Sequence, residues 1–371
     1  MIPVNQPLLD GNEKRYLLEC IESGWISSEG PFIKAFEEKF AARFGRKHAI
    51  AVSNGTAALD AAIEALGIGP GDEVIMPSFT IISCVMQIVR NGAKPVLVDS
   101  DPRTWNMDVK AIEQKITPRT KAIMAVHIYG LPVDMDPLLA LARKHDLKVL
   151  EDAAQMHGQT YKGKACGSFG DLSTFSFYPN KHITTGEGGM IVTDSDELAE
   201  QCRSLRNLCF KPESRFVHDR LGWNLRMTSM QAALGLAQLE RLDEFVGRKR
   251  RMGALYQELL GDLKGVQLPL ASTDYADSVY WVFGLLLDES LGITAVDAMK
   301  RLAEQGVGTR PFFYPMHQQP VLHKMGAIAE SDHCPVAERL YKQGFYIPSG
   351  MALTEDQIRT VAATVRRVLN P

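Results

Sequence analysis

The stretch Lys148-Val149-Leu150-Glu151-Asp152-Ala153-Ala154-Gln155 decides how this chain folds, because a short apolar run ends there on adjacent carboxylates and then on small residues. A run of that length bounded in that way reads as a buried strand. Its neighbours repeat the pattern. Further strands are expected at 48–52, 73–77, 95–98, 121–127, 173–177 and 189–193. Helical patterns fall between them, including 56–66, stopped by Gly67, and 136–145, where Leu138, Leu139, Leu141 and Ala142 form one stripe. Strands alternating with helices predict an α/β layer around a mainly parallel, seven-stranded sheet. Ligands of such sheets bind outside the carboxyl ends of the strands, which is where Asp152 is expected to project.

Beyond residue 227 the pattern changes. Residues 227–262 read as a long, charge-laced helical region in which Gln231, Leu234, Leu236, Leu239 and Leu242 precede Arg248-Lys249-Arg250-Arg251. A strand at 279–287, a helix at 294–305, a strand near 307–310 and a last helix at 354–369 then suggest a smaller α+β domain. The expected division is 1–245 for the large domain and 246–371 for the small one. A chain of 371 residues is long enough for both and for a sizeable pocket.

Composition narrows the partners. With 45% apolar and 23% charged residues and a net charge of -3, no basic field favours nucleic acid or an anionic membrane. The first residues lack the basic and apolar regions of a signal peptide, and no apolar run reaches membrane-spanning length, so a cytoplasmic protein acting on small molecules is expected. The six cysteines, at 20, 84, 166, 202, 209 and 334, form no CxxC pair and read as reduced packing residues, with no metal expected.

Two further segments carry chemistry. In Ser176-Phe177-Tyr178-Pro179-Asn180-Lys181-His182 a lysine follows the strand next after Asp152. A lysine amine forms Schiff bases with carbonyls when a pocket favours its neutral form. Ser53-Asn54-Gly55-Thr56-Ala57 joins a strand to a helix, and free N–H groups at such a helix start cradle anions. Each segment has a plainer reading: a solvated lysine, a strand-end Asp that caps a helix, and Ser53 or Asn54 as an N-cap. There is no GxGxxG after a strand and no Gly-Lys-Ser/Thr, so neither a dinucleotide fingerprint nor a P-loop is present.

Taken together, these motifs resemble the fold-type I aminotransferases that use vitamin B6, and within them the nucleotide-sugar aminotransferases of the DegT/DnrJ/EryC1/StrS family. The resemblance runs from Trp25-Ile26-Ser27-Ser28-Glu29-Gly30 through Ser53-Asn54-Gly55-Thr56, Val126-His127-Ile128-Tyr129-Gly130, Glu151-Asp152-Ala153-Ala154 and Asn180-Lys181 into the C-terminal region. It implies that Lys181 is the catalytic residue and holds pyridoxal 5'-phosphate, with Asp152 on the pyridine nitrogen. Ser176, Gly55, Thr56 and Ala57 would bind the phosphate, Gln155 would reach the ring hydroxyl region and Ala154 one ring face. Asn224 would reach the phosphate of a partner subunit, which implies a homodimer with shared active sites.

The implied reaction moves the amino group of L-glutamate to the C4 keto group of a nucleotide-linked 4-keto-6-deoxysugar. The Trp25 opening and Thr184-Thr185-Gly186-Glu187-Gly188-Gly189-Met190 resemble members acting on GDP-4-keto-6-deoxy-D-mannose; a dTDP- or UDP-linked sugar is the alternative. Trp25, Ser27, Ser28, Ile81, His182, Arg310 and His317 are candidate substrate contacts. Arg220, Arg226 and the loop Phe210–Arg215 are candidates for the diphosphate or for inter-subunit ion pairs.

A related branch that removes a hydroxyl carries histidine at the lysine position, so the register of Lys181 and His182 matters; the five-residue step from Ser176 selects Lys181. Two departures from the family pattern stand out. Ile81 follows Thr80 where many relatives place a ring-stacking aromatic, and Gln155-Met156-His157 stands where similar sequences carry an acidic and a small residue. A pyridoxal-phosphate-binding regulator without turnover, and a lyase using a mobile cysteine, are the competing readings.

Overall fold

The computed structural model describes residues 1–369. Strands β1 (His48–Val52), β2 (Glu73–Pro77), β3 (Lys94–Val98), β4 (Thr120–Val126), β5 (Lys148–Asp152), β6 (Leu172–Ser176) and β7 (Gly189–Thr193) form one sheet in the order β1-β7-β6-β5-β4-β2-β3. Neighbours from β3 through β6 run parallel, and β7 is antiparallel to both β6 and β1. The order doubles back, since β2 lies between β4 and β3 and β7 lies between β6 and β1. Each expected strand of this sheet is present, as the α/β reading required.

Alternation along β5 and β6 separates structure from chemistry. Leu150 and Asp152 share one face, and Val149 and Glu151 share the other, because successive side chains point oppositely. Asp152 stands in register with Thr174, so Asp152, Thr174 and Ser176 occupy the same face at the carboxyl edge. The helix Gly55–Ala65 covers that face. Its buried Ala57, Ala58, Ala61 and Ala62 allow close approach, and Gly67 at φ 69° ends it in the left-handed conformation. On the opposite face, helix Pro31–Arg43 presents Phe32, Phe36 and Phe40 at fourfold spacing. Phe40 packs edge-on against Phe175 at 4.9 Å and Phe177 at 5.5 Å.

The region expected as one long helix is two, Ser229–Leu239 and Leu242–Leu260. Thr228 starts the first with a capping box closed by Gln231. The expected division at residue 245 falls inside the second. Its Leu242, Phe245 and Val246 pack into the large core, while Met252, Tyr256 and Leu260 enter the small one. The smaller layer is an antiparallel sheet of Val266–Gln267, Phe283–Leu287, Gly344–Ile347 and Arg310–Pro311, backed by helices Ala295–Glu304 and Glu355–Leu369. All six cysteines are buried and free, and no described helix is long and apolar enough to cross a membrane.

Candidate active site

At the carboxyl edge, a cavity of about 800 Å³ opens between the sheet, the start of helix Gly55–Ala65 and the segments carrying Trp281, Arg310 and Tyr346. A volume of that size suits a cofactor together with a substrate. Lys181, Asp152, Ser176, Thr56, Gly55, Ala57, Ala154, Gln155, Ile81 and Arg310 all line it. The helix start is held by Asn54, whose Oδ1 accepts from Ala57 N–H at 2.8 Å. The N–H groups of Gly55 and Thr56 have no partner within the helix by its geometry, so the N-cap and the anion cradle coexist. A Cβ on Gly55 would lie 2.7 Å from that of Ser176, so only glycine lets the helix start reach β6. Thr56 Oγ1 is 2.9 Å from Ser83 Oγ.

Asp152 is 4% exposed, its Oδ1 accepting from Ala154 N–H at 3.0 Å and its Oδ2 from the Cys84 thiol at 3.3 Å. Burial and the Asp152 charge push that thiol well up, so it stays a neutral donor. Lys181 follows β6 in a turn closed by its N–H on Tyr178 O at 2.9 Å. Although its side chain is only half-buried, the amine is enclosed and burial pushes it down to about 8, against the opposing pull of Asp152. It is a nucleophile held near neutrality. Its Nζ sits 3.9 Å from the centre of the Trp281 ring. Gln155 Oε1 accepts from Tyr129 N–H at 2.5 Å, which holds it at the cavity wall.

The profile of the DegT/DnrJ/EryC1/StrS aminotransferase family matches residues 7–366. The chain belongs to that family. It is 47% identical over 369 residues, 99% of this chain and 98% of the relative, to a GDP-perosamine synthase of Caulobacter vibrioides. A GDP-perosamine synthase of Escherichia coli O157:H7 is 44% identical over 98% of this chain and 97% of its own. Among solved structures, the aminotransferase TlmJ from Streptoalloteichus hindustanus superposes with a TM-score of 0.92 at 32% identity, covering 100% and 99% of the two chains. This member of the family is therefore a pyridoxal-phosphate-dependent sugar aminotransferase.

The residues present in the aminotransferase fit that cofactor. Thr174 Oγ1 and Asn180 Oδ1 are buried at the cavity with no partner among the described residues, and the carboxylate of Asp152 keeps acceptor capacity beyond its two contacts. A lysine, a buried carboxylate and an N–H-rich cradle are the donor set that an aldehyde, a ring nitrogen and a phosphate require.

Several expected contacts lie elsewhere. His182 is buried and does not line the cavity, its Nε2 lying 3.3 Å from Val279 O, and burial holds its imidazole neutral. His317 does not line the cavity; its Nδ1 meets Ser78 Oγ at 2.7 Å and its Nε2 meets Glu338 Oε1 at 3.1 Å. Asn224 is exposed and also outside it. Trp25 is 48% exposed, Ser27 supplies a carbonyl to Ser229 N–H, and Ser28 lines a second cleft with Arg203, Arg206, Lys211, Arg215 and Arg226. Arg226 donates to Asn207 Oδ1 at 2.7 Å, and Arg220 lies 3.7 Å from Glu64.

Sequence reasoning did not single out Cys84, Thr174, Trp281, Phe313 or Tyr346, all of which adjoin the site. Glu187 also lines it, and its place in the glycine-rich run after Lys181 was a usable signal.

Proposed function

We propose that this aminotransferase takes the amino group of L-glutamate and delivers it to the C4 keto group of GDP-4-keto-6-deoxy-D-mannose, giving GDP-perosamine. The observation that carries the reading of the site is the convergence of Lys181, Asp152 and the Gly55–Ala57 helix start on one cavity. Identity above 40% over nearly the full length of two GDP-perosamine synthases supports the choice of nucleotide sugar.

When bound, pyridoxal phosphate supplies an aldehyde carbon that exchanges amine partners and a ring that takes up the electron pair released at the reacting carbon. Lys181 binds that aldehyde through its amine. With the amino donor bound, the free Lys181 amine would remove the donor's α-proton and, in the second half, return a proton to C4 of the sugar. Asp152 accepts a hydrogen bond from the ring nitrogen and keeps it protonated. Ser176, Thr56 and the N–H groups of Gly55 and Thr56 would bind the phosphate; Gln155 would reach the ring hydroxyl region, Ala154 would pack against one ring face, and Ile81 lines the same cavity. Arg310, at the cavity mouth, meets an anionic group of either substrate. In the homodimer, Asn224 reaches the phosphate held by the partner subunit.

The deciding experiment incubates purified enzyme and L-glutamate with GDP-, dTDP- and UDP-linked 4-keto-6-deoxysugars and follows product mass. Amination of the GDP sugar is expected. Conversion of only a dTDP or UDP sugar would overturn the acceptor while leaving the reaction class intact.

A further inference from the structure

We propose that Trp281 is a positioning residue for Lys181, a ring platform on which the amine rests whenever it is not bonded to the cofactor. The proposal rests on the assignment of Lys181 as the catalytic lysine, and its argument comes from how firmly the protein fixes this indole.

Four features hold Trp281 in place. Its ring centre lies 3.9 Å from Lys181 Nζ, inside the range in which an aromatic face attracts a cation. Its Nε1–H donates at 2.7 Å to the carbonyl of Asn180, the residue immediately before Lys181, so ring and lysine backbone are tied together. Tyr280, just before it, sits at φ 46°, a left-handed conformation that bulky residues rarely adopt. That strain persists because Gly130, at φ 110°, lets the two segments cross: a Cβ there would lie 2.5 Å from Tyr280 N.

The fourth feature is a buried lysine used by nothing else in the reaction. Lys249, 2% exposed, donates to the carbonyl of Trp281 at 2.8 Å and to that of Ser349. Burial alone pushes its amine down to about 7. A cation-forming group is costly to bury for packing; here two hydrogen bonds from its amine pin the backbone at one end of the paired strands Phe283–Leu287 and Gly344–Ile347. Ser349 Oγ in turn accepts from Phe283 N–H at 2.9 Å, closing the clamp around the strand that Trp281 leads into.

The chemistry explains the need. In a transamination cycle the catalytic lysine is released in the first half-reaction and re-attached only at the end of the second, and throughout that interval a free Lys181 amine must be kept both close and correctly protonated. A π-face favours the ammonium, whereas enclosure favours the amine; Trp281 supplies both, so the lysine is held poised and in reach.

The test uses the full-length protein, loaded and freed of cofactor. Borohydride reduction followed by peptide mass spectrometry first confirms that the cofactor is attached to Lys181; its absence there would sink the functional assignment itself. With attachment confirmed, the titration of Lys181 in cofactor-free protein is read from the pH dependence of its labelling by trinitrobenzenesulfonate. Trp281→Leu, which keeps apolar bulk without a π-face, should lower the midpoint by about half to one unit and reduce kcat at least tenfold with little change in KM. Trp281→Phe should recover most of the midpoint. Lys249→Met should act in the same direction, and should add nothing to Trp281→Leu in the double variant. A Lys181 midpoint unchanged or raised in Trp281→Leu, or equal loss from Trp281→Phe and Trp281→Leu, would overturn the proposal. If Lys249→Met does not fold, the two Trp281 variants decide alone.

Discussion

The depressed Lys181 amine makes a quantitative prediction about cofactor capture. An amine titrating at about 8 is roughly 9% neutral at pH 7, whereas a lysine at the ordinary ~10.4 is about 0.04% neutral. Only the neutral amine attacks an aldehyde, so cofactor-free enzyme should capture pyridoxal phosphate roughly 200-fold faster at pH 7 than an exposed lysine of equal reactivity. The direction follows from burial: the rate rises with pH while the ammonium loses its proton, then levels off above the midpoint. Stopped-flow absorbance from pH 6 to 10, divided by the rate of a simple alkylamine per unit of its neutral form in the same buffers, removes the aldehyde's own titration and measures this. The carboxylate of Asp152 opposes the burial effect, so Asp152→Asn should move the plateau to lower pH even as it weakens retention of the cofactor. A normalised rate flat across that range, or still rising at pH 10, would refute the enclosed-amine argument.

Three other expectations follow from single residues. Glu151 is fully buried and accepts from His127 Nε2, the N–H groups of Gly167, Phe169 and Gly170, and Ser173 Oγ; Glu151→Gln would turn an amide N–H₂ toward those donors, costing about 3–5 kcal/mol in a urea-unfolding measurement. A loss below about 1 kcal/mol would show the network to be dispensable. Ile81, 46% exposed at the cavity, offers no ring to the cofactor, and Ile81→Tyr should slow cofactor loss on dialysis by about fivefold, the equivalent of ~1 kcal/mol of aromatic contact; unchanged loss would mean that another group already covers that face. Asn224→Ala should weaken cofactor affinity in a stable dimer, measured by fluorescence titration, and an unaltered affinity would remove Asn224 from the phosphate site.

What was legible in the sequence and what was not divides along physical lines. The sheet could be read because each strand is a short apolar run closed by turn residues, and because β5 and β6 deliver Asp152 and Ser176 to one edge by simple alternation. Helix 227–262 could not be divided, since its break at Glu240 and Arg241 has neither glycine nor proline and the apolar period continues through it. Helix Pro31–Arg43 did have a signal, the fourfold spacing of Phe32, Phe36 and Phe40. His317 misled because nearness to Arg310 in sequence suggested nearness to the cavity. The chain instead turns at Met316, whose N–H binds Ser78 O at 2.8 Å and carries His317 into a buried hydrogen-bonded cluster.

Trp281 was beyond reach for a different reason. Nothing in Val279-Tyr280-Trp281-Val282 marks a turn, because the left-handed residue is a tyrosine where composition would suggest glycine. The glycine that makes the crossing possible is Gly130, 150 positions earlier in the chain. Local pattern therefore identifies the groups that react, which sit at strand ends, but not the groups that restrain them, which arrive through tertiary crossings. On that argument the restraint on Lys181 is split between two distant segments, so a substitution at Gly130 should disturb the lysine's titration through Trp281 although Gly130 touches neither cofactor nor substrate.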